Sequence, residues 1–134
     1  MKKLFALTML FVLALTLCAC GGGKTTDAAI LPSESEIYTQ EEIDEAIQTA
    51  VGYFNRHFDG CTLRSIGYIG DMQMERLSRE DPTCSTDTHI VLLSSFETDS
   101  TVKPGSLMPG ETYTDWAWNL GRDDNGHWQF PSQG

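Results

Sequence analysis

The sequence has few basic side chains and no recognisable metal-binding motif. Its 134 residues include nine lysines and arginines against nineteen aspartates and glutamates, which gives a net charge of −10. Such an acidic excess makes nucleic acids and anionic membrane surfaces poor partners. The acidic residues are not spaced as in a calcium-binding loop, and no pair of histidines or cysteines has zinc-ligand spacing. We therefore expect no metal site and no cofactor.

Nucleophile motifs are lacking as well. His57, His89 and His127 have no serine or cysteine beside them in such a motif. An isolated histidine is usually structural or lies on the surface, so the sequence predicts no catalytic residue.

The N-terminal segment has the features of a secretory leader. Two lysines precede an apolar run from Leu4 to Leu17, which is short for a membrane span and ends in small residues. The following cysteines resemble the lipobox of bacterial lipoproteins, in which a small residue precedes the cysteine that is lipidated. Cys20 follows Ala19, whereas Cys18 follows a bulky leucine, so we predict lipidation of Cys20. The resemblance implies a chain anchored in the cell membrane by lipid and facing the extracellular side.

This leader sets the expected organisation of the chain. We predict a signal peptide over residues 1–19, a flexible tether over residues 20–35 and one domain over residues 36–134. Cleavage after residue 19 would remove two lysines and no acidic residue, which changes the net charge from −10 to −12.

The residues from Thr39 to Gly60 have the apolar spacing of an amphipathic helix. Thr39 and Glu42 form a capping box at its start, and an Asp-Gly pair ends it. Residues 71–80 are compatible with a short helix or with an irregular turn. Such an amphipathic helix requires a partner surface, which the rest of the chain must supply.

The remaining segments predict four antiparallel strands in consecutive order. They span residues 61–69, 89–96, 112–122 and 127–131, and the loop over residues 100–110 is either functional or mobile. Alternation within the third of these strands places Trp116, Trp118 and Leu120 on the face that packs against the helix. The predicted fold is therefore α+β, with one N-terminal amphipathic helix laid across a four-stranded antiparallel meander sheet.

The last turn, around Asn125 and Gly126, constrains the register of the final hairpin. A three-residue loop pairs Arg122 with Trp128 and keeps Trp128 and Phe130 on the core face, whereas a two-residue turn would expose both side chains. We predict the three-residue loop.

Two sets of side chains have alternative interpretations. Cys61 and Cys84 either form a disulfide, as is common outside the cell, or remain a buried apolar residue and an exposed thiol. The three tryptophans could stack on a carbohydrate ring, although the register places them in the core. Tyr113, Asp115 and Asn119 form a polar row on the opposite face of the sheet, which either faces solvent or binds a ligand.

Several segments resemble a family of small uncharacterised lipoproteins of Gram-positive gut bacteria. They are DGCTL after the helix, GYIGD, VLLSSF and SLMPGETYTDWAWNL, and the likeness covers residues 36–130. The family is similar to cystatin-like and NTF2-like folds, with a helix on a sheet, and implies no activity.

Two functions are compatible with these observations. The first is a membrane-tethered extracellular module that binds a protein or a small ligand, with a homodimer as one form of contact. The alternative is an NTF2-like enzyme or small-ligand-binding protein with a pocket between helix and sheet, in which Asp115 or His89 would act as general base.

Overall fold

The computed structural model describes residues 22–130 and shows an α+β fold of two helices and one five-stranded sheet. The first helix, α1, spans Gln40–His57. Its predicted capping box is confirmed: the amide of Glu42 donates to Thr39 Oγ1 over 3.1 Å, and the amide of Thr39 donates to Glu42 Oε1 over 3.0 Å. The predicted apolar stripe is also confirmed, and its buried members are Ile43, Ala46, Ile47, Ala50 and Phe54.

The sheet follows the predicted meander and adds one strand. Its strands are β1 (Ala29–Ile30), β2 (Cys61–Tyr68), β3 (His89–Thr98), β4 (Thr112–Arg122) and β5 (Trp128–Gln129), in that spatial order. Strands β2 to β5 pair antiparallel, whereas β1 pairs parallel with β2. The prediction of four antiparallel strands was therefore wrong in number and in type, because the sheet is mixed.

The additional strand lies in the segment predicted to be a flexible tether. The amide of Gly23 donates to Asn55 O over 3.0 Å, Lys24 exchanges backbone hydrogen bonds with β2, and Leu31 N donates to Ile66 O over 2.9 Å. A Cβ atom on Gly23 would lie 2.6 Å from Phe54 O, so the chain passes close to α1 at this point. Residues 23–31 therefore make backbone contacts with α1 and β2 that the sequence did not predict, because two paired residues are too few to produce a strand pattern.

The second helix, α2, spans Asp71–Glu80, which resolves the alternative between a helix and an irregular turn. Met74 anchors it in the core. The Asp71 carboxylate accepts hydrogen bonds from Ser35 Oγ at 2.6 Å, from Glu36 N at 2.7 Å and from the Tyr68 hydroxyl at 2.8 Å. This carboxylate therefore joins the residues before α1 to the end of β2.

The β4–β5 hairpin has the predicted register. Arg122 pairs with Trp128, the amide of Asp123 donates to His127 O over 2.8 Å, and Gly126 has a φ of 81°. The predicted burial of Trp128 is confirmed.

Contacts from Arg122 and Trp128 join this hairpin to the start of α1. Arg122 forms an ion pair with Glu42 and lies over the Trp128 ring at 4.1 Å from its centroid. The Trp128 indole donates to Glu42 O over 2.9 Å. The amide of Thr39, followed by the Arg122 guanidinium, lowers the pKa of Glu42.

The two cysteines are separate buried thiols. Cys61 pairs with Thr98 at the end of β3, whereas Cys84 lies just before His89 at the start of β3. A ten-residue strand is about 30 Å long, far more than a disulfide spans. The disulfide interpretation is corrected accordingly, and Cys84 is buried rather than exposed. Burial raises the pKa of both thiols, which makes them poor nucleophiles.

We predict that both thiols are free and protected. In a chain with Cys18→Ser and Cys20→Ser, iodoacetamide added without reductant should leave the native protein unmodified and add two groups after unfolding, as read by mass spectrometry. Modification of the unfolded chain only after reduction would contradict the separate placement of the two cysteines.

Candidate binding cleft

Aromatic side chains from three parts of the chain converge beside β4. Tyr53 lies in the last turns of α1, and Phe58 follows its final residue. Trp116 and Trp118 project from β4 toward the helix, and Phe130 follows β5. The helical stripe and the strand alternation thus direct these rings to one place.

These rings surround an open cleft of about 320 Å³. The Phe130 ring lies 4.5 Å from the Tyr53 ring and 5.7 Å from the Trp118 ring, between centroids. Phe58 lies 5.2 Å from Trp118 on the other side. The remaining lining residues are Trp116, Ala117 and Asn119. Tyr53 carries the only side chain of the lining that ionises, so the cleft offers apolar ring faces rather than acid–base groups.

A buried hydrogen bond fixes the orientation of one cleft ring. The Trp118 indole N–H donates to Ser94 Oγ over 2.6 Å, and that hydroxyl donates to Trp116 O over 3.3 Å. Both Ser94 and Trp118 are buried. Of the three tryptophans, Trp118 and Trp128 therefore belong to the core, while Trp116 is half-buried at the cleft.

A bulge in β4 divides the predicted polar row. Ser94 pairs with Trp116 and Phe96 with Tyr113, so β4 has one residue more than β3 in this interval. Asp115, within it, has a φ of 54°, which non-glycine residues seldom adopt.

The extra residue reverses the alternation, so Tyr113 lies on the helix side. Its ring stacks on Phe96 at 5.2 Å, and its hydroxyl accepts a hydrogen bond from Met108 N at 2.8 Å. Tyr113, Asp115 and Asn119 therefore do not form one ligand-binding row. The prediction failed because a bulge leaves little trace in residue types.

Asp115 instead lines a shallow depression on the sheet face opposite α1. The depression measures about 240 Å³ and is also lined by Leu31, Ser65, Leu93, Ser94, Ser95 and Thr114. Asn119 lines the aromatic cleft and not this depression.

The three histidines lie apart from one another. The His57 ring is tilted against the Tyr53 ring, with 4.4 Å between centroids. His127 Nδ1 lies 3.0 Å from Glu45 Oε1, and His89 Nδ1 lies 2.8 Å from Thr88 Oγ1. Neither His89 nor Asp115, the two general-base candidates, lines the aromatic cleft. Within residues 22–130, no three metal-ligating side chains are grouped closely enough to hold an ion.

Sequence reasoning missed Tyr53, Phe58 and Phe130 as cleft residues. The sequence places Tyr53 and Phe58 within the predicted helical segment and Phe130 on the predicted core face. One signal was available: β4 was predicted to be twice as long as the last strand, which ends at Pro131. When a long strand pairs with a short one, part of the long strand has no neighbour at its edge. The side chains on that part are also less completely covered.

Comparisons with protein-family models, with curated proteins and with solved structures find no match to this chain. In the part of the chain that the structure describes, neither helix is long and apolar enough to cross a membrane.

We predict that Ser94→Ala lowers the free energy of unfolding by about 1–3 kcal/mol, because it leaves the buried Trp118 indole without an acceptor. Urea unfolding followed by tryptophan fluorescence measures the loss. The matched control is Ser95→Ala, whose hydroxyl contacts Ser65 Oγ at 2.7 Å on the other face. An equal loss of unfolding free energy in both variants would show that the indole hydrogen bond contributes no more than the hydrogen bond between Ser95 and Ser65.

Proposed function

We propose that the chain is a membrane-tethered extracellular binding module and that the aromatic cleft is its ligand site. The observation that carries the proposal is the group of five aromatic rings around a cleft open to solvent. A protein without a ligand gains stability by covering such rings, because burying one large apolar side chain is worth about 1.5–3 kcal/mol. Four of the five rings, all except the buried Trp118, are only partly buried, and rings left accessible in a preformed concavity are typical of binding sites.

The anchoring part of this proposal rests on the sequence. Cys20 and the leader lie outside the described residues, and the lipobox pattern supports lipidation of Cys20. A lipid anchor places the domain at the cell membrane on the extracellular side, where an acidic surface favours solubility. The arrangement of α1 on the sheet is loosely compatible with the cystatin-like and NTF2-like folds, and the likeness to small lipoproteins of Gram-positive gut bacteria rests on the sequence segments alone.

The enzyme alternative has less support from the cleft. General acid–base catalysis requires a titratable group within hydrogen-bond reach of the substrate, and neither candidate base lines the cleft. Binding of a small apolar ligand remains compatible with the same lining.

We predict that the cleft gives a saturable signal with at least one class of ligand. Three probes cover the main classes: a chitin tetrasaccharide, decanoate, and a blocked peptide with alternating valine and threonine. Nuclear magnetic resonance of the ¹⁵N-labelled protein should show shifts of the Trp116 and Trp118 indole signals, since both rings line the cleft.

Two variants distinguish binding in the cleft from non-specific binding to exposed apolar side chains. Phe130→Ala removes one wall and should weaken binding about tenfold or more, while Met72→Ala alters an apolar side chain that is 81% exposed on α2 and should have no effect. Shifts confined to other surfaces with all three probes would count against the cleft as the site.

A further prediction concerns the anchor. The Cys20→Ala variant should lose incorporation of labelled palmitate and appear in the soluble fraction, because the thiol is the acceptor of the lipid. The control is Cys18→Ala, which should remain lipidated and membrane-bound. Retained lipidation of Cys20→Ala, together with its loss in Cys18→Ala, would move the site to Cys18.

A further inference from the structure

One side of β4 is largely unpaired in the described part of the chain. The strand has 11 residues, but β5 has two and pairs only with Gly121 and Arg122. Apart from the bulge at Thr114 and Asp115, residues 112–120 therefore pair with β3 on one side and with no described strand on the other. The aromatic cleft lies along this open stretch, beside Trp116 and Trp118.

The hydrogen-bond register shows which backbone groups face outward. The amide of Arg122 donates to Thr88 O over 2.8 Å, so Arg122 and every second residue before it face β3. The amide of Asp123 donates to His127 O, so the intervening residues face the β5 side. Ala117 and Asn119 consequently direct their N–H and C=O groups away from the sheet.

This orientation explains why Ala117 and Asn119 line the cleft at all. Their side chains alternate with those of Trp116 and Trp118, so they lie on the opposite face and are exposed. Their outward-facing backbone atoms are the part of each residue that the register places beside the cleft. The site thus combines apolar rings with a row of backbone donors and acceptors at strand spacing, and that combination is complementary to another strand.

The other strands available from this protein fit the edge poorly. Continuing the β4–β5 register would set Pro131 opposite Asn119, and proline has no N–H to donate. A second copy would offer its own β4 edge, which is interrupted by β5 at one end and by the bulge at Asp115 at the other. Only a few residues of that edge could pair.

Charge favours a different chain as the occupant. Glu111 and Asp115 lie at one end of the open edge, and Asp123 and Asp124 lie in the turn at the other. Two copies would bring these acids together, whereas a segment with basic residues on both sides of an apolar centre would be attracted.

We propose that the cleft takes an extended segment of another polypeptide, which adds as a strand to the edge of β4 through Ala117 and Asn119. Its alternate apolar side chains pack among the aromatic rings, and lysines or arginines flank them. This inference rests on the proposed function and names its partner class.

The test uses the full-length chain in mild detergent and a blocked peptide with a lysine at each end and valine, phenylalanine and valine alternating with threonine. The comparison peptide is methylated at the backbone nitrogens that face β4, which removes its donors but keeps its side chains. We expect the methylated peptide to bind about tenfold more weakly, the cost of one or two lost hydrogen bonds. Isothermal titration calorimetry measures both.

A protein variant tests the same contact from the other side. Ala117→Pro removes an outward N–H that donates to no described residue, and edge strands tolerate proline at such a position. The variant should weaken binding of the unmethylated peptide to a similar degree. Ala117→Ser keeps the N–H and should bind as the original does. Circular dichroism and thermal unfolding identify a variant that fails to fold, in which case the methylated peptide alone decides.

The remaining outcomes separate the two proposals. If both peptides bind equally well and Phe130→Ala weakens the binding of both, strand addition is overturned but the cleft remains a binding site. Binding of the chitin tetrasaccharide in the cleft without peptide binding would do the same. A dimer in analytical ultracentrifugation that Ala117→Pro dissociates would assign the edge to a second copy and overturn the inference. Binding of none of the probes at the cleft would overturn both proposals.

Discussion

The burial of the apolar stripe of α1 against one face of the sheet is the interaction on which the rest of the structure depends. Most of the stability of an amphipathic helix such as α1 comes from packing of its apolar face rather than from helix propensity. Phe54 illustrates this dependence: its ring contacts Phe96 of β3 at 5.6 Å and Phe58 at 4.8 Å, and the segment around Gly23 passes against it. The helix, the central strand and the N-terminal segment therefore hold one another in place.

The cleft exists because the helical layer and the sheet do not end at the same place. The helix stops at His57, and β5 stops at Gln129, while β4 continues beneath them along its full length. Tyr53, Phe58 and Trp116 are consequently only partly buried there, whereas Trp118 is enclosed by its aromatic neighbours. Phe130 supplies part of the missing wall. The same mismatch in length thus produces both features of the site, the accessible rings and the unpaired backbone.

Much of the fold could be predicted from the sequence because its signals are local. The capping box at Thr39, the bounds of β4 and the register at Arg122 and Trp128 all depend on residues close together in the chain. The parallel strand β1 could not be predicted, since two residues paired across a long sequence separation leave no periodic pattern. The bulge at Asp115 was missed for a related reason, because it is set by the fit between β3 and β4. That bulge changed the candidate site most, by moving Tyr113 to the helix side.

An open strand edge normally invites self-association, and proteins protect such edges in several ways. Here the chain's own strand is cut short before Pro131, and the indoles beside the edge increase its attraction for another strand. The protection that remains is electrostatic: the chain carries a net charge of −10, and acidic residues lie at both ends of the open stretch. Repulsion of this kind acts against every other copy of the same chain but not against a segment with basic flanks. An edge that is apolar in its centre and acidic at its ends is therefore selective for a different partner.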